Sequence, residues 1–313
     1  MISRFFHRVI HFLKGGRRGW KKLVITYNKF VHPKRYADYL YKIKFGYGIN
    51  WRNPRNLNEW INYFSFKTDT HEWSRLSDKL AVREYVSKKG LGAILIPLYG
   101  VWEDVDDIDF ALLPNSFVIK TNHACGNSFL VLDKATAEIS LIKEKLRESL
   151  SSSYGRETAE PHYFRIKPKI FAEQLLPPPA NIDYKIWCFF GHPECIMTMT
   201  NREIDSGKFS LSVFDLDWQE HPEWISPNYR RGIKLPKPEK LDEMIEYARI
   251  LSDGFPEVRV DFYHTHTGIY FGELTFTAAA GRMTSFTEEY LTHCGEIINH
   301  YLHSGVEKDN SSL

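Results

Sequence analysis

A carboxylate set inside each of two adjoining strand-like runs is the feature that most constrains this chain. VRVDFY carries Asp261 and GIYFGELTF carries Glu273, with HTHTG between them. The β-branched and aromatic residues around both acids suit extended structure, and the short polar connection predicts a hairpin. Just upstream, Leu241, Met244, Ile245, Ala248 and Leu251 recur at helical spacing and stop near Gly254 and Pro256, so a helix should precede it. With HTHTG as the turn, the two acids are expected to converge at one end of the hairpin. Two buried carboxylates repel and are costly to desolvate, and a hard cation offsets both penalties. The competing reading is that one of them accepts backbone hydrogen bonds or forms a salt bridge at a sheet edge. Thr275, two residues beyond Glu273, shares its strand face and adds a hydroxyl to the same side.

A second stretch, IKTNHACGNS, complements the first. Lys120 ends the apolar run FVIK, and Asn122, His123, Gly126, Asn127 and Ser128 follow in a polar segment. A lysine at a strand end can offset phosphate charge, and a glycine lets backbone N–H groups approach closely. The spacing is not the GxxxxGK[ST] phosphate loop, so this segment alone does not establish a nucleotide site. Joined to Asp261, Glu273 and Thr275, it predicts a composite nucleotide–Mg2+ site. His123 is a candidate contact that donates to phosphate when protonated or orients an acceptor when neutral. Cys125 has no identified base or orienting partner and is set aside as a nucleophile. His264 and His266 form a lone HxH without a third ligand, which favours a solvent-facing turn or an acceptor contact over zinc.

Between these stretches the chain reads as mixed α/β. SDKLAVREYVSKKG predicts a helix over 77–90 with Ser77 or Asp78 as its cap, IPLYGVW and FVIK read as strands, and AEISLIKEKLRESL as a helix. DYKIWCFFG and CIMTMTN read as two strands of a mostly antiparallel sheet, joined by Gly191 to Glu194. No run approaches the roughly 18 apolar residues of a spanning helix. The four cysteines lack a CxxC pair, which favours reduced thiols in the cytosol. A net charge of +2 argues against a general nucleic-acid binder, but basic residues crowd the N-terminus among Phe5, Phe6, Phe12, Leu13 and Trp20. Residues 2 to 14 are therefore read as a basic amphipathic segment, suited either to an anionic membrane surface or to packing on its own domain.

Taken in order, SDKLAVREYV, FVIKTNHACGNS, FAEQLLP, DYKIWCFFG and VRVDFY through FGELTFTAAAG resemble the ATP-grasp superfamily, specifically its TupA-like branch associated with cell-surface polysaccharide and teichuronopeptide synthesis. The resemblance covers about residues 57–295. It implies an α/β ATP-grasp fold in which two α+β subdomains enclose a nucleotide cleft, with ATP and Mg2+ as cofactors. The implied organisation is a basic extension over 1–56 and an associated region over 57–110. A phosphate-loop and adenine-linker subdomain follows over 111–176, then a metal-binding subdomain over 177–295 and a tail over 296–313.

The resemblance also implies residue roles. Arg83 or Lys79 reaches nucleotide phosphates, Lys120 is the central phosphate lysine, and Thr121 to Ser128 form the covering loop. Glu173, Gln174, Leu175 and Leu176 form the linker that packs on adenine. Asp183 and Lys185 are the polar pair opening the next strand, and Arg202 is a later arginine near phosphate. Asp261 and Glu273 hold the metal, with Thr275 where many relatives have asparagine, and Gly281 with Arg282 shapes an acceptor or phosphate loop. The implied activity is an ATP-dependent carboxylate–amine ligase working through an acyl phosphate, with an acidic glycan or polymer-linked sugar as donor and an amino acid or other amine as acceptor. A glycan kinase and a noncatalytic nucleotide or anionic-polymer binder are the alternatives. The expected location is the cytoplasm, with the inner membrane face as a peripheral site.

Overall fold

The computed structural model describes residues 16–124, 126, 128–177, 182–201 and 209–304. The described residues open on a helical pair, α1 (Gly16–Val31) and α2 (Pro33–Phe45). Pro33 sits in the first turn of α2, where its missing N–H costs nothing, and Gly46 closes the helix in the left-handed region at φ 84° with its N–H on the Lys42 carbonyl. The basic amphipathic segment expected over 2–14 lies outside the described residues. Helix α3 (Leu57–Lys67) is capped by the Asn56 side chain, which accepts from the Glu59 N–H. Two short helices follow, α4 (His71–Ser77) and α5 (Val82–Lys88). The helix expected over 77–90 is confined to Val82–Lys88. Asp78 Oδ1 accepts from the N–H of Leu80 at 2.8 Å, forming a turn that carries Lys79 outside the helix.

The first sheet is built from β1 (Leu98–Trp102), β2 (Phe117–Thr121), β3 (Ser128–Val131) and β4 (Ile170–Glu173), in the order β1-β4-β2-β3 and antiparallel throughout. Helices α6 (Ile139–Leu150) and α7 (Tyr154–Thr158) lie between β3 and β4 in the chain. Phe117 and Ile119 alternate inward and meet Val131, Leu146, Ile170 and Ala172 in one apolar cluster.

The second sheet runs β10-β9-β5-β6-β7-β8, from β5 (Asp183–Phe189), β6 (His192–Thr200), β7 (Ser210–Phe214), β8 (Arg230–Arg231), β9 (Val258–Thr265) and β10 (Gly268–Thr275). Every pairing is antiparallel except β7 with β8. Helix α8 (Leu241–Ser252) packs its Met244, Ala248 and Leu251 face on β5, β6 and β9, and α9 (Glu288–His303) ends the described chain. Trp187, Phe189, Phe262 and Phe276 are fully buried here, each worth about 1.5–3 kcal/mol of apolar burial.

Two hairpins of this sheet, β5–β6 and β9–β10, turn more tightly than their sequences suggest. Phe190 and Gly191 both take positive φ, 52° and 82°, forming a two-residue turn that lets β6 begin at His192 instead of after Glu194. Strands β9 and β10 consume most of HTHTG, leaving His266 and Thr267 as the turn. Asp261 and Glu273 therefore meet as cross-strand partners inside the hairpin, not at its end.

Candidate functional site

Three strands set the polar row. Lys185 of β5 lies opposite Asp261 of β9, which lies opposite Glu273 of β10, while the next row holds Trp187, Arg259 and Thr275. Side chains alternate along a strand, so Arg259, Asp261 and Tyr263 share one face with Glu273 and Thr275. A bulge between Phe271 and Glu273 restores this facing, and Gly272 makes it possible. A Cβ on Gly272 would lie 2.9 Å from the Asp261 carbonyl oxygen.

The side chains interlock by charge. Arg259 Nε lies 2.6 Å from Asp261 Oδ1, and its Nη2 lies 2.8 Å from Oδ2. The same Nη2 reaches Thr275 Oγ1 at 3.1 Å and Glu273 Oε1 at 3.4 Å. Lys185 Nζ donates to Asp261 Oδ2 at 2.5 Å and sits 3.7 Å from Asp183. Thr275 Oγ1 donates to Glu273 Oε1 at 3.0 Å, and Lys79 Nζ approaches Glu273 Oε2 at 3.5 Å while donating to the Ala124 carbonyl. Burial opposes ionisation of Glu273, yet Lys79, Arg259, Lys185 and the Thr275 hydroxyl hold its carboxyl down at about 2.

The first sheet contributes from across the seam. Lys120 Nζ pairs with Glu173 at 2.6 Å and lies over the Phe171 ring. One pocket is lined by Lys79, Arg83, Lys120 and Glu173 on one side and by Tyr263, Phe271 and Gly272 on the other. Burial pushes the Arg83 guanidinium pKa down while Glu173 pulls it up. Tyr263 is held neutral by burial and by the surrounding carboxylates of Asp183, Glu273, Asp261 and Glu173. Residues 77–90 and both sheets thus bring cations and carboxylates to the same cleft.

The remaining sequence candidates fall in different places. Ser128 faces Lys120 across β2 and β3, and Gly126 takes φ 81°, a conformation suited to glycine. Asn127 and Arg202 lie outside the described residues. His123 is buried beside Lys79, and burial first, then that charge, lowers its pKa, so it is neutral at physiological pH. The Gln174 N–H is tied to the Pro97 carbonyl, and Leu175 and Leu176 are half-exposed.

Arg282 is not part of the carboxylate cluster. Its Nη1 donates to the carbonyls of Thr158 and Ala280, because Ala279, Ala280 and Gly281 all take left-handed φ and turn the chain toward α7. Gly281 packs on α3, where its carbonyl accepts from Asn62 Nδ2 at 2.9 Å. Sequence reading passed over Arg259 and Tyr263. Their signal was strand parity: each is two residues from Asp261 and so on its face.

The donor set suits a hard dication. Asp261 and Glu273 offer carboxylate oxygens and Thr275 a hydroxyl, the oxygen chemistry Mg2+ takes. Among the described residues no group of three or more His, Cys, Asp and Glu converges. Lys79, Lys185 and Arg259 already balance the local acids, so a dication here needs further anionic oxygens, such as those of a polyphosphate.

Comparison with solved structures finds an ATP-grasp ligase PsnB bound to a precursor variant, Mg and ADP, at 12% identity and TM-score 0.41, covering 78% of this chain and 65% of that one. A D-alanine–D-alanine ligase from Bacillus anthracis complexed with ATP matches at 16% identity and TM-score 0.42, covering 71% and 62%. A RimK domain protein ATP-grasp from Sphaerobacter thermophilus matches at 15% and 0.39, covering 72% and 67%. The chain thus spans less than two thirds of the length of the first two. No curated protein matches. A TupA-like ATP-grasp family model matches residues 59–299, well over half of the sequence. The ordered motifs, the two mostly antiparallel sheets and this match agree, and the chain belongs to the TupA-like family of the ATP-grasp superfamily.

Proposed function

We propose that the protein is an ATP-dependent carboxylate–amine ligase acting on cell-surface polysaccharide. The observation that carries this reading is a pocket in which Lys79, Arg83 and Lys120 face Tyr263, Phe271 and Gly272 of the strand pair that also bears Asp261 and Glu273. Family membership supports ATP as the co-substrate, and the family's association with surface polymers supports an acidic glycan as donor.

In this reading Lys120, Arg83 and Lys79 bind the triphosphate, and Glu173 orients Lys120 through their 2.6 Å pair. Asp261 and Glu273, with Thr275 beside them, would hold Mg2+, which when bound neutralises phosphate charge. The Arg259 fork keeps both carboxylates turned to the same side and offers a fixed positive charge where the transferred phosphoryl group gains negative charge. A carboxylate oxygen of the donor bonds to the γ-phosphorus as the bond to the bridging oxygen breaks, giving an acyl phosphate and ADP. The amine nitrogen then bonds to the acyl carbon, the carbon–oxygen bond to phosphate breaks, and the amine proton is released. No covalent enzyme nucleophile is needed, and neutral His123 is placed to accept a hydrogen bond near Lys79.

The test incubates purified protein with ATP, Mg2+ and a pool of cell-envelope glycans and amines, followed by mass spectrometry. An amide product that diminishes in Asp261→Ala and Glu273→Ala supports the reading. A phosphorylated glycan without amide overturns it in favour of a kinase.

A further inference from the structure

The positive charge of this protein is concentrated at one end. Its first 47 residues hold 12 of the 41 lysines and arginines but only one of the 39 acidic residues, Asp38. Asp38 is itself engaged, accepting from the Ile49 N–H at 2.9 Å. The remainder of the chain is net negative, so the +2 overall conceals a strongly basic N-terminal stretch on an otherwise acidic chain.

The same end exposes apolar surface in helical register. Val24, Tyr27 and Val31 of α1 follow one another at spacings of three and four and are 40%, 51% and 50% exposed. Ile43 of α2 is 64% exposed and is flanked by exposed Lys42 and Lys44, with Arg35 one face over. The opposite faces are committed: Tyr36, Ala37 and Tyr41 are buried, Lys29 pairs with Glu157, and Arg156 lies over Phe30. The helix pair is therefore anchored to the body through α7 and leaves a basic, apolar-studded surface outward.

We propose that α1 and α2 form a docking surface for an anionic lipid bilayer, with Val24, Tyr27, Val31 and Ile43 entering the headgroup boundary and Arg35, Lys42 and Lys44 meeting lipid phosphates. Charge complementarity selects the bilayer over a second copy, since two such surfaces repel. Anchoring through α7 also matters, because Arg282 donates to the Thr158 carbonyl and Thr277 to Glu160, joining α7 to the loop beyond Glu273. Resting on the ligase reading, docking would hold that side of the cleft near the membrane, where surface polymers are assembled.

Flotation of the full-length protein with phosphatidylcholine vesicles, with and without about 30% phosphatidylglycerol, tests the docking without ATP or substrate, so its failure is separate from failure of the ligase reading. Binding should be about tenfold or more stronger to anionic vesicles and be lost in high salt. Arg35→Glu/Lys42→Glu/Lys44→Glu should abolish the anionic preference, and Val24→Asp/Tyr27→Asp/Val31→Asp should weaken binding about tenfold, both with unchanged circular dichroism. Equal partitioning to both vesicles, wild-type binding by both variants, self-association through this surface, or binding of a soluble polyuronate in place of vesicles would each overturn the proposal.

Discussion

Arg259 holds Asp261 with both ends of its guanidinium fork, Nε 2.6 Å from Oδ1 and Nη2 2.8 Å from Oδ2. The two residues are strand neighbours on one face, so the pair is set by β9 itself, and the same Nη2 extends to Glu273 and Thr275 on β10. One guanidinium thereby fixes the orientation of both carboxylates and sets a permanent positive charge between them.

Arg259→Ala should therefore fail in two ways. It leaves two carboxylates short of a partner, for a stability loss of about 3–5 kcal/mol where a mostly buried pair is broken. ATP-dependent turnover should fall about 10²–10³-fold from the loss of a preorganised positive charge. Arg259→Lys should recover part of the stability and little of the turnover, since an ammonium cannot span both oxygens. Urea unfolding and ADP release measure the two effects separately.

Acid should weaken the fold through Glu273. Its folded pKa, about 2, is depressed below the unfolded value of about 4.3, so its stabilisation is fully present above the unfolded pKa and is lost as pH falls toward the folded one. With its side chain 32% exposed, solvent screening reduces the contribution to about 1–2 kcal/mol. In urea unfolding, the stability difference between wild type and Glu273→Gln should narrow as pH drops from about 5 to about 3. A constant difference would show that Glu273 is not held ionised by its neighbours.

Gly272→Ala tests the bulge. A Cβ 2.9 Å from the Asp261 carbonyl forces β10 away from β9, at a cost of about 1–3 kcal/mol for an overpacked site. Because Glu273 follows directly, turnover should fall with stability, and denaturant midpoints together with ADP release check both.

Lys120→Ala and Glu173→Gln should differ. The first leaves Glu173, 7% exposed at its side chain, as an unpaired buried charge and should cost about 3–5 kcal/mol. The second leaves the partly accessible lysine to water and should cost less, about 1–2 kcal/mol, while raising the KM for ATP. Thermal unfolding and ATP titration separate the two.

Much of this site was legible because its chemistry rides on strand parity. Asp261, Glu273 and Thr275 stand out as polar residues in apolar runs, and their mutual placement follows from alternation. Arg259 obeys the same rule but was masked by the acids, since a charge beside a carboxylate reads as a surface pair. HTHTG looked like a five-residue turn because polar letters hide strand residues such as Thr265. The path after Thr277 was not readable: alanines favour right-handed helix, yet Ala279 and Ala280 take φ 48° and 53°, which packing on α3 imposes and no local preference announces. The α1–α2 pair mixes aromatic and basic residues on several faces, and its outward surface becomes visible only once α7 covers the opposite side.

The central claim is that a donor carboxylate attacks the γ-phosphorus of ATP in this cleft. Its most direct measurement uses an acidic-glycan pool whose carboxylate oxygens have been exchanged for 18O, with ATP, Mg2+ and an amine pool. The released phosphate should carry 18O and the amide product should retain the other labelled oxygen, both lost in Glu273→Ala. Unlabelled phosphate, or phosphate kept on the glycan without an amide, would contradict it.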